Sequence, residues 1–384
     1  MTAMTPEEIR RALYENRRLP GGAARNAHAE SLAAAAEASG DRRLFREALN
    51  HQIDAYEYSA ERTRLLVPFA RLLQEYDRDP GAFSESEAHS LFWQFKWVAS
   101  AIDSSPELPL DTARGWLADM ERRYRLAGYG EGPVRKAELF LAEAAGDDAA
   151  AERAMSRWTA AERDSMSDCR ACEHSAQGWF WERRQQDDKA VEAWQPVLAG
   201  DLSCAEEPHR VLAKSLLPLV RLGRLDEARA HHLRGYRMAR GNESLLRSIG
   251  HHIEFCALTG NEGRGLEILT EHAGHLGPLV DLEARLSFHG GVLVLLHRLA
   301  ELGHGAQPAA AYDSTPRTVD ELYAILHADA VEVAGRFDAR NGNTRISDRL
   351  SARIGRAPLL ESLPLGVRAT RLPRPAAGGA PVAP

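Results

Sequence analysis

A small residue recurs at Ala151, Ala190, Ala228 and Gly265, at steps of 39, 38 and 37 residues. Three of the four stand five positions after a turn glycine, namely Gly146, Gly223 and Gly260. A small residue returning at a fixed period marks the place where two helices must approach closely. The pattern therefore restricts the chain to stacked helical hairpins, none of which can bury its apolar face alone. The expected hairpins pair 133–145 with 148–162, 169–186 with 188–199, 204–222 with 225–240, and 243–259 with 262–274. Gly146-Asp147, Gly223-Arg224 and Gly260-Asn261 are the turns, since glycine readily takes the left-handed conformation that ends a helix.

Before this array, Thr5 followed by Pro6-Glu7-Glu8 is a helix start. A first hairpin is expected over 23–39 and 43–60, with further helices at 62–76, 85–102 and 110–127. Phe92, Trp93, Trp97 and Val98 crowd one of these helices and read as core. After the array come long helices at 281–302 and 317–336, an Asn341-Gly342 stop and a short helix near 345–355. No run of alternating β-branched residues appears, so the fold class expected is all-α. The divisions are divergent hairpins over 1–130, regular repeats over 131–275, capping helices over 276–356, and a disordered Arg/Pro/Ala-rich tail over 357–384.

In the second regular unit Gly178, Ala190 and Trp194 take the small, small and aromatic positions of the tetratricopeptide motif, and Leu216, Ala228 and His232 follow in the third. Over 133–275 the chain resembles tetratricopeptide repeat proteins, with units longer than the usual length of about 34 residues. The stretch from Leu216-Leu217-Pro218-Leu219 to Gly223-Arg224-Leu225-Asp226-Glu227-Ala228 also looks like uncharacterised actinobacterial members of that family. The resemblance implies a right-handed superhelix whose first helices line a concave groove for peptides or partner proteins.

Aligned on the small residues, the groove positions are Lys136, Phe140 and Glu143, then Cys172, Ser175, Trp179 and Arg183. Arg210, Leu217 and Arg221 follow in the third unit, and Arg247 and Glu254 in the fourth. Several arginines beside exposed aromatic faces suit an acidic or carboxylate-ended peptide; alternatively these arginines only solvate a helix face. The asparagine-and-lysine clamp of chaperone-tail-binding members is missing.

The chain has 384 residues and a formal charge of −7. Residues 336–384 hold nine Arg against Asp338, Asp348 and Glu361, a surplus of six, so the remainder carries −13. That balance disfavours a nucleic-acid binder. Only Lys96, Lys136, Lys189 and Lys214 are lysines. Neither an apolar leader nor a stretch of eighteen apolar residues occurs, so a cytoplasmic protein without membrane spans is expected. In a reducing compartment four cysteines point to metal binding, reactivity or plain burial, not to disulfides.

Cys169-Arg170-Ala171-Cys172 opens one unit, and Cys204 and His209 open the next. Spacing of i, i+3 at a helix start puts both sulfurs on one face, and neighbouring first helices pack about 9–10 Å apart. The four side chains form a candidate tetrahedral zinc site bridging two repeats, with His174 as a substitute donor. The alternative is that these thiols fill tight helix contacts. Cys256 reads as core. Nine of the fifteen histidines lie between His231 and His304 and read as polar-face residues.

No GxxxxGK[ST] loop, GxSxG elbow or HExxH is present, and the glycines at 260, 263 and 265 lie in a helical turn. The functional expectation is a peptide-binding scaffold with a structural zinc staple. A regulatory sensor acting through a partner protein and a zinc-dependent enzyme on a helical-repeat frame are the alternatives.

Overall fold

The computed structural model describes residues 4–366. The polypeptide enters through α1 (Pro6–Arg17), α2 (Ala23–Ala38), α3 (Arg42–Glu57), α4 (Leu66–Arg78), α5 (Glu85–Asp103) and α6 (Leu110–Leu126). Thr5 and Glu8 form a reciprocal capping box at the start of α1, satisfying backbone donors that the first turn leaves free. Aromatic residues of α4, α5 and α6 build one core, where Phe69 and Phe95 meet edge to face at 5.1 Å and Tyr124 donates to the Phe92 carbonyl at 2.7 Å.

Hairpins follow: α7 (Gly132–Ala145) with α8 (Asp148–Ala160), then α9 (Arg170–Glu182) with α10 (Asp187–Leu198). The third pairs α11 (His209–Lys214) and α12 (Leu216–Arg221) with α13 (Leu225–Ala239), and the fourth pairs α14 (Leu246–Leu258) with α15 (Glu262–Glu271). Gly146, Gly223 and Gly260 have φ of 80°, 73° and 69°, as their turns require. Ala151, Ala190, Ala228 and Gly265 are buried. A Cβ at Gly178 would stand 2.1 Å from Trp194 Nε1, so this glycine is what lets the indole seat between α9 and α10 and donate to the Ser175 carbonyl at 3.1 Å.

Two boundaries depart from expectation. The first helix of the third unit is broken at Ser215, because Pro218 has no N–H to give the Lys214 carbonyl. Residues 204–208, expected at its start, form a loop.

The remaining elements are α16 (Leu282–Glu301), β1 (Pro308–Tyr312), β2 (Thr315–Thr318), α17 (Val319–Asn341) and α18 (Arg345–Ile354). The protein is mainly helical, but β1 and β2 form an antiparallel hairpin that the all-α expectation missed. Its two-residue turn, Asp313-Ser314, has positive φ at both positions, 51° and 62°, which matches the right-handed strand twist. Against α14, α16 packs backbone to backbone: a Cβ on Gly291 would fall 2.1 Å from the Gly250 carbonyl oxygen.

Residues 357–366 lie against α14 through their leucines, contrary to the expected disordered tail. Leu363 and Leu365 are buried, and the Leu359 and Leu363 amides donate to the Leu258 and Thr259 carbonyls at 2.9 and 3.0 Å. The expected disorder of the segment after 366 lies outside the described residues.

N-terminal and C-terminal halves meet. Ser104 Oγ donates to Glu283 at 2.8 Å, and the Ala60 carbonyl accepts from the Asp281 amide at 3.4 Å. Arg340 donates to the Asp103 carbonyl at 2.8 Å, Asn341 to that of Ala144 at 2.7 Å, and Arg345 to Gly146 and Asp148 at 3.0 and 2.9 Å. Part of the basic surplus after 336 thus neutralises the protein's own acidic body. Among the described residues no helix is long and apolar enough to cross a membrane.

Candidate metal centre

Cys169 is the N-cap of α9, and its Sγ accepts from the Cys172 amide at 3.5 Å. Cys204 lies in the loop before α11; its amide donates to the Glu207 carbonyl at 3.1 Å, and its Sγ accepts from the Glu206 amide at 3.3 Å. Two hairpins thereby deliver three sulfurs lying within 4.8 Å of one another, with Cys172 and Cys204 only 3.6 Å apart. Thiolates about 2.3 Å from a tetrahedral zinc sit roughly 3.8 Å apart, so the trio fits one ion in spacing and in donor chemistry. Cys169 is exposed and the other two are half-buried.

Burial pushes the Cys172 thiol well above its usual range, and the neighbouring Cys169 and Cys204 add to the shift. Cys204 is raised as well, again chiefly by burial. Three sulfurs so close cannot all ionise unaided; a divalent cation reverses that balance and drives the protons off.

A polar clamp that the sequence reading missed holds this helix start in place. Asp168, next to Cys169, accepts from Lys96 Nζ at 2.8 Å and pairs with Lys136. Burial alone would raise the Asp168 carboxyl, but Lys136 and Lys96 outweigh it and hold the group well below the usual carboxylate range. Lys96 also donates to the Met166 carbonyl at 2.8 Å, lies 3.0 Å above the Trp93 ring, and is pushed down to about 8 by burial. The signal available in the sequence was the placement of two of only four lysines, together with an aspartate directly before the first cysteine.

The expected fourth ligand does not join. His209 opens α11, but its nitrogens are not within 4.8 Å of all three sulfurs. Burial lowers its pKa, with Arg210 adding and Glu206 opposing. His174 turns away, its Nδ1 donating to the Ala193 carbonyl at 2.9 Å. Cys256 is buried in the core. His232, His252, His272, His289 and His304 are buried too, against the expectation of a polar face.

The groove residues are engaged within the chain. Lys136 serves Asp168, while the Phe140 and Trp179 rings pack at 4.9 Å. Arg183 lies 5.4 Å over Trp179 and 3.7 Å from Glu143. Arg210 pairs with Glu206, Arg221 binds Asp187 through two bonds of 2.6 and 2.7 Å, and Arg247 reaches Asp281 at 3.0 Å. Glu254, expected on an exposed groove, is buried under Arg353 and Arg356 at 2.7 and 2.8 Å. The arginines inferred from repeat alignment are therefore ion-paired within the chain: Glu143, Asp187 and Asp281 reach Arg183, Arg221 and Arg247 from more than thirty positions away, and Glu206 reaches Arg210 from one turn before it.

The described chain thus combines a thiol trio, a lysine-aspartate clamp and a set of ion-paired arginines; it matches no protein-family model and no curated protein.

Proposed function

We propose that the protein is a tetratricopeptide-type binding scaffold, a right-handed stack of hairpins whose inner face captures a carboxylate-bearing partner such as a peptide end. In this reading zinc, held by Cys169, Cys172 and Cys204, staples the second unit to the third. The observation that carries it is the convergence of three thiols from two successive hairpins. Support for the repeat type comes from the Gly178–Trp194 interlock and from the burial of the recurring small residues. The partner would exchange for an internal carboxylate at Arg221 or Arg210, whose side chains keep 30% and 42% of their surface exposed.

The test is fluorescence polarisation of a labelled hexapeptide library carrying free C-termini, repeated with the same peptides amidated. The reading expects a subset that binds as acids, weakens on amidation and weakens in Arg221→Ala. A library in which no acid binds better than its amide would refute it.

The thiol trio also favours a second reading, a zinc-dependent enzyme, since three protein ligands leave one coordination position for water. Turnover of an activated ester, lost with the metal and restored by it, separates that enzyme from a staple.

A further inference from the structure

Between α3 and α4 lies a cavity of about 500 Å³, lined by Arg42, Arg46, Glu75, Arg78, Asp79 and Ala82. Arg42 and Arg46 stand four positions apart on α3 and so share one face. Glu75 and Arg78 come from the last turn of α4, and Asp79 and Ala82 from the short turn that follows it. Three guanidinium groups therefore meet two carboxylates, a surplus of one positive charge among the lining residues.

Glu75 is buried and divides its carboxylate, one oxygen taking Arg42 and the other Arg78 at 3.0 Å. Each of these arginines spends one nitrogen on Glu75, and their side chains stay 52% and 59% exposed, which leaves the other N–H groups free for a ligand. Arg46 is the deepest of the three. Only 7% exposed, it donates through Nη2 to the Ala82 carbonyl at 2.9 Å and lies 4.8 Å over the Phe83 ring. Among the described residues its Nε is buried without a hydrogen-bond partner, Glu87 standing 3.9 Å away, and its Nη1 makes no hydrogen bond but is not sealed in. A buried guanidinium short of acceptors is costly, and an anion in the cavity removes that cost.

We propose that this cavity binds a small phosphate monoester, whose phosphoryl oxygens pair with Arg42, Arg46 and Arg78, while Glu75 is the positioning residue that holds two of them. The oxygens of a tetrahedral oxyanion diverge and take donors from three guanidinium groups at once, whereas the two coplanar oxygens of a carboxylate are matched by a single arginine. The volume leaves room for the organic part of the ester. Asp79, exposed at the rim, opposes the anion and limits its affinity. None of these residues belongs to the thiol trio or to the arginines assigned to the peptide partner, so the site stands or falls by itself.

Isothermal titration calorimetry tests it. Full-length protein in phosphate-free buffer is titrated with ribose 5-phosphate, inorganic phosphate and acetate at matched ionic strength. The expected result is saturable one-site binding of the ester, weaker binding of inorganic phosphate and none of acetate. Affinity for the ester should fall about tenfold or more in Arg46→Met and in each of Arg42→Met and Arg78→Met. The last two change half-exposed side chains, so their circular dichroism and melting temperature should match the parent even if Arg46→Met unfolds. Asp79→Asn should tighten binding roughly twofold to fivefold, and Arg229→Ala, whose arginine pairs with Asp226, should leave it unchanged. Absence of saturable ester binding overturns the site, as does binding of acetate as tight as that of the ester. Binding of inorganic phosphate alone marks an adventitious ion only and also overturns it. So does an affinity that is unchanged in folded Arg42→Met and Arg78→Met, or equally reduced in Arg229→Ala.

Discussion

Two junctions between successive first helices are built in opposite ways. Where α14 meets α16, Gly250 and Gly291 bring the backbones into contact, and Ile253, Val292 and Leu296 seal the surroundings completely. Where α9 passes α11, the helices touch lightly, and what converges is three thiols flanked by the Lys96–Asp168–Lys136 clamp. The first junction is held by shape, so it needs no cofactor. At the second, α10 packs on α11 and α12 in a shared apolar core while α9 and α11 barely meet, so a bound ion would add cohesion where these two helices start.

The strongest way to break the comparison is to damage the shape-based junction. Gly291→Ala drives a methyl group into the Gly250 carbonyl, and equilibrium urea unfolding should show a loss of about 3 kcal/mol or more. A loss near zero would mean the helices slide apart freely. At the other junction, chelation should destabilise the protein by about 2.7 kcal/mol relative to zinc at a hundred times its dissociation constant. Differential scanning calorimetry with and without chelator reads this directly, and Gly291→Ala should leave the chelator effect intact.

The clamp can be probed separately. Lys136→Met removes one of the two ammonium groups on Asp168, loosening the start of α9. Zinc affinity should fall roughly 10- to 100-fold, the range for residues that support metal ligands; competition with a chromophoric chelator measures it, and an unchanged affinity would sever the clamp from the thiols.

Acid should act elsewhere. Burial pushes His51 down to about 4 and His232 down to about 3, from the ordinary 6.5. Both are neutral in the folded protein, while the unfolded chain binds protons below pH 6.5. Their contribution is therefore fully present above pH 6.5 and is lost as pH falls toward 4 and 3, by about 1.4 kcal/mol per pH unit for each. Unfolding at pH 6.5 and 5.5 with chelator present should show this slope, and His51→Gln should reduce it. The smallest effect belongs to an exposed pair: Arg229→Ala, facing Asp226, should shift stability by about 0.5 kcal/mol or less.

Helical hairpins were legible in the sequence because their signals are local: a left-handed glycine, a capping acid and a small residue at a fixed offset. The thiol trio was legible too, since i, i+3 spacing and the repeat period fix which ends of which helices adjoin. His209 was not, because the orientation of a side chain after an irregular loop is not a property of spacing. Glu254 was misread for a different reason. Its partners Arg353 and Arg356 stand about a hundred residues away, and only tertiary packing joins them. The Asp313-Ser314 hairpin lacked a turn glycine and an alternating strand pattern, with Thr315 and Thr318 as the β-branched residues of its two strands, and Leu363 and Leu365 lie in a Pro-rich segment whose composition hides a docking strip.

The most direct test of the central claim, that three cysteines without His209 hold one ion across two hairpins, is the metal content of three purified proteins. By elemental analysis, the parent and His209→Ala should each retain one zinc per chain and Cys172→Ser none. An absence of stoichiometric metal in the parent, or its loss in His209→Ala, would contradict the account.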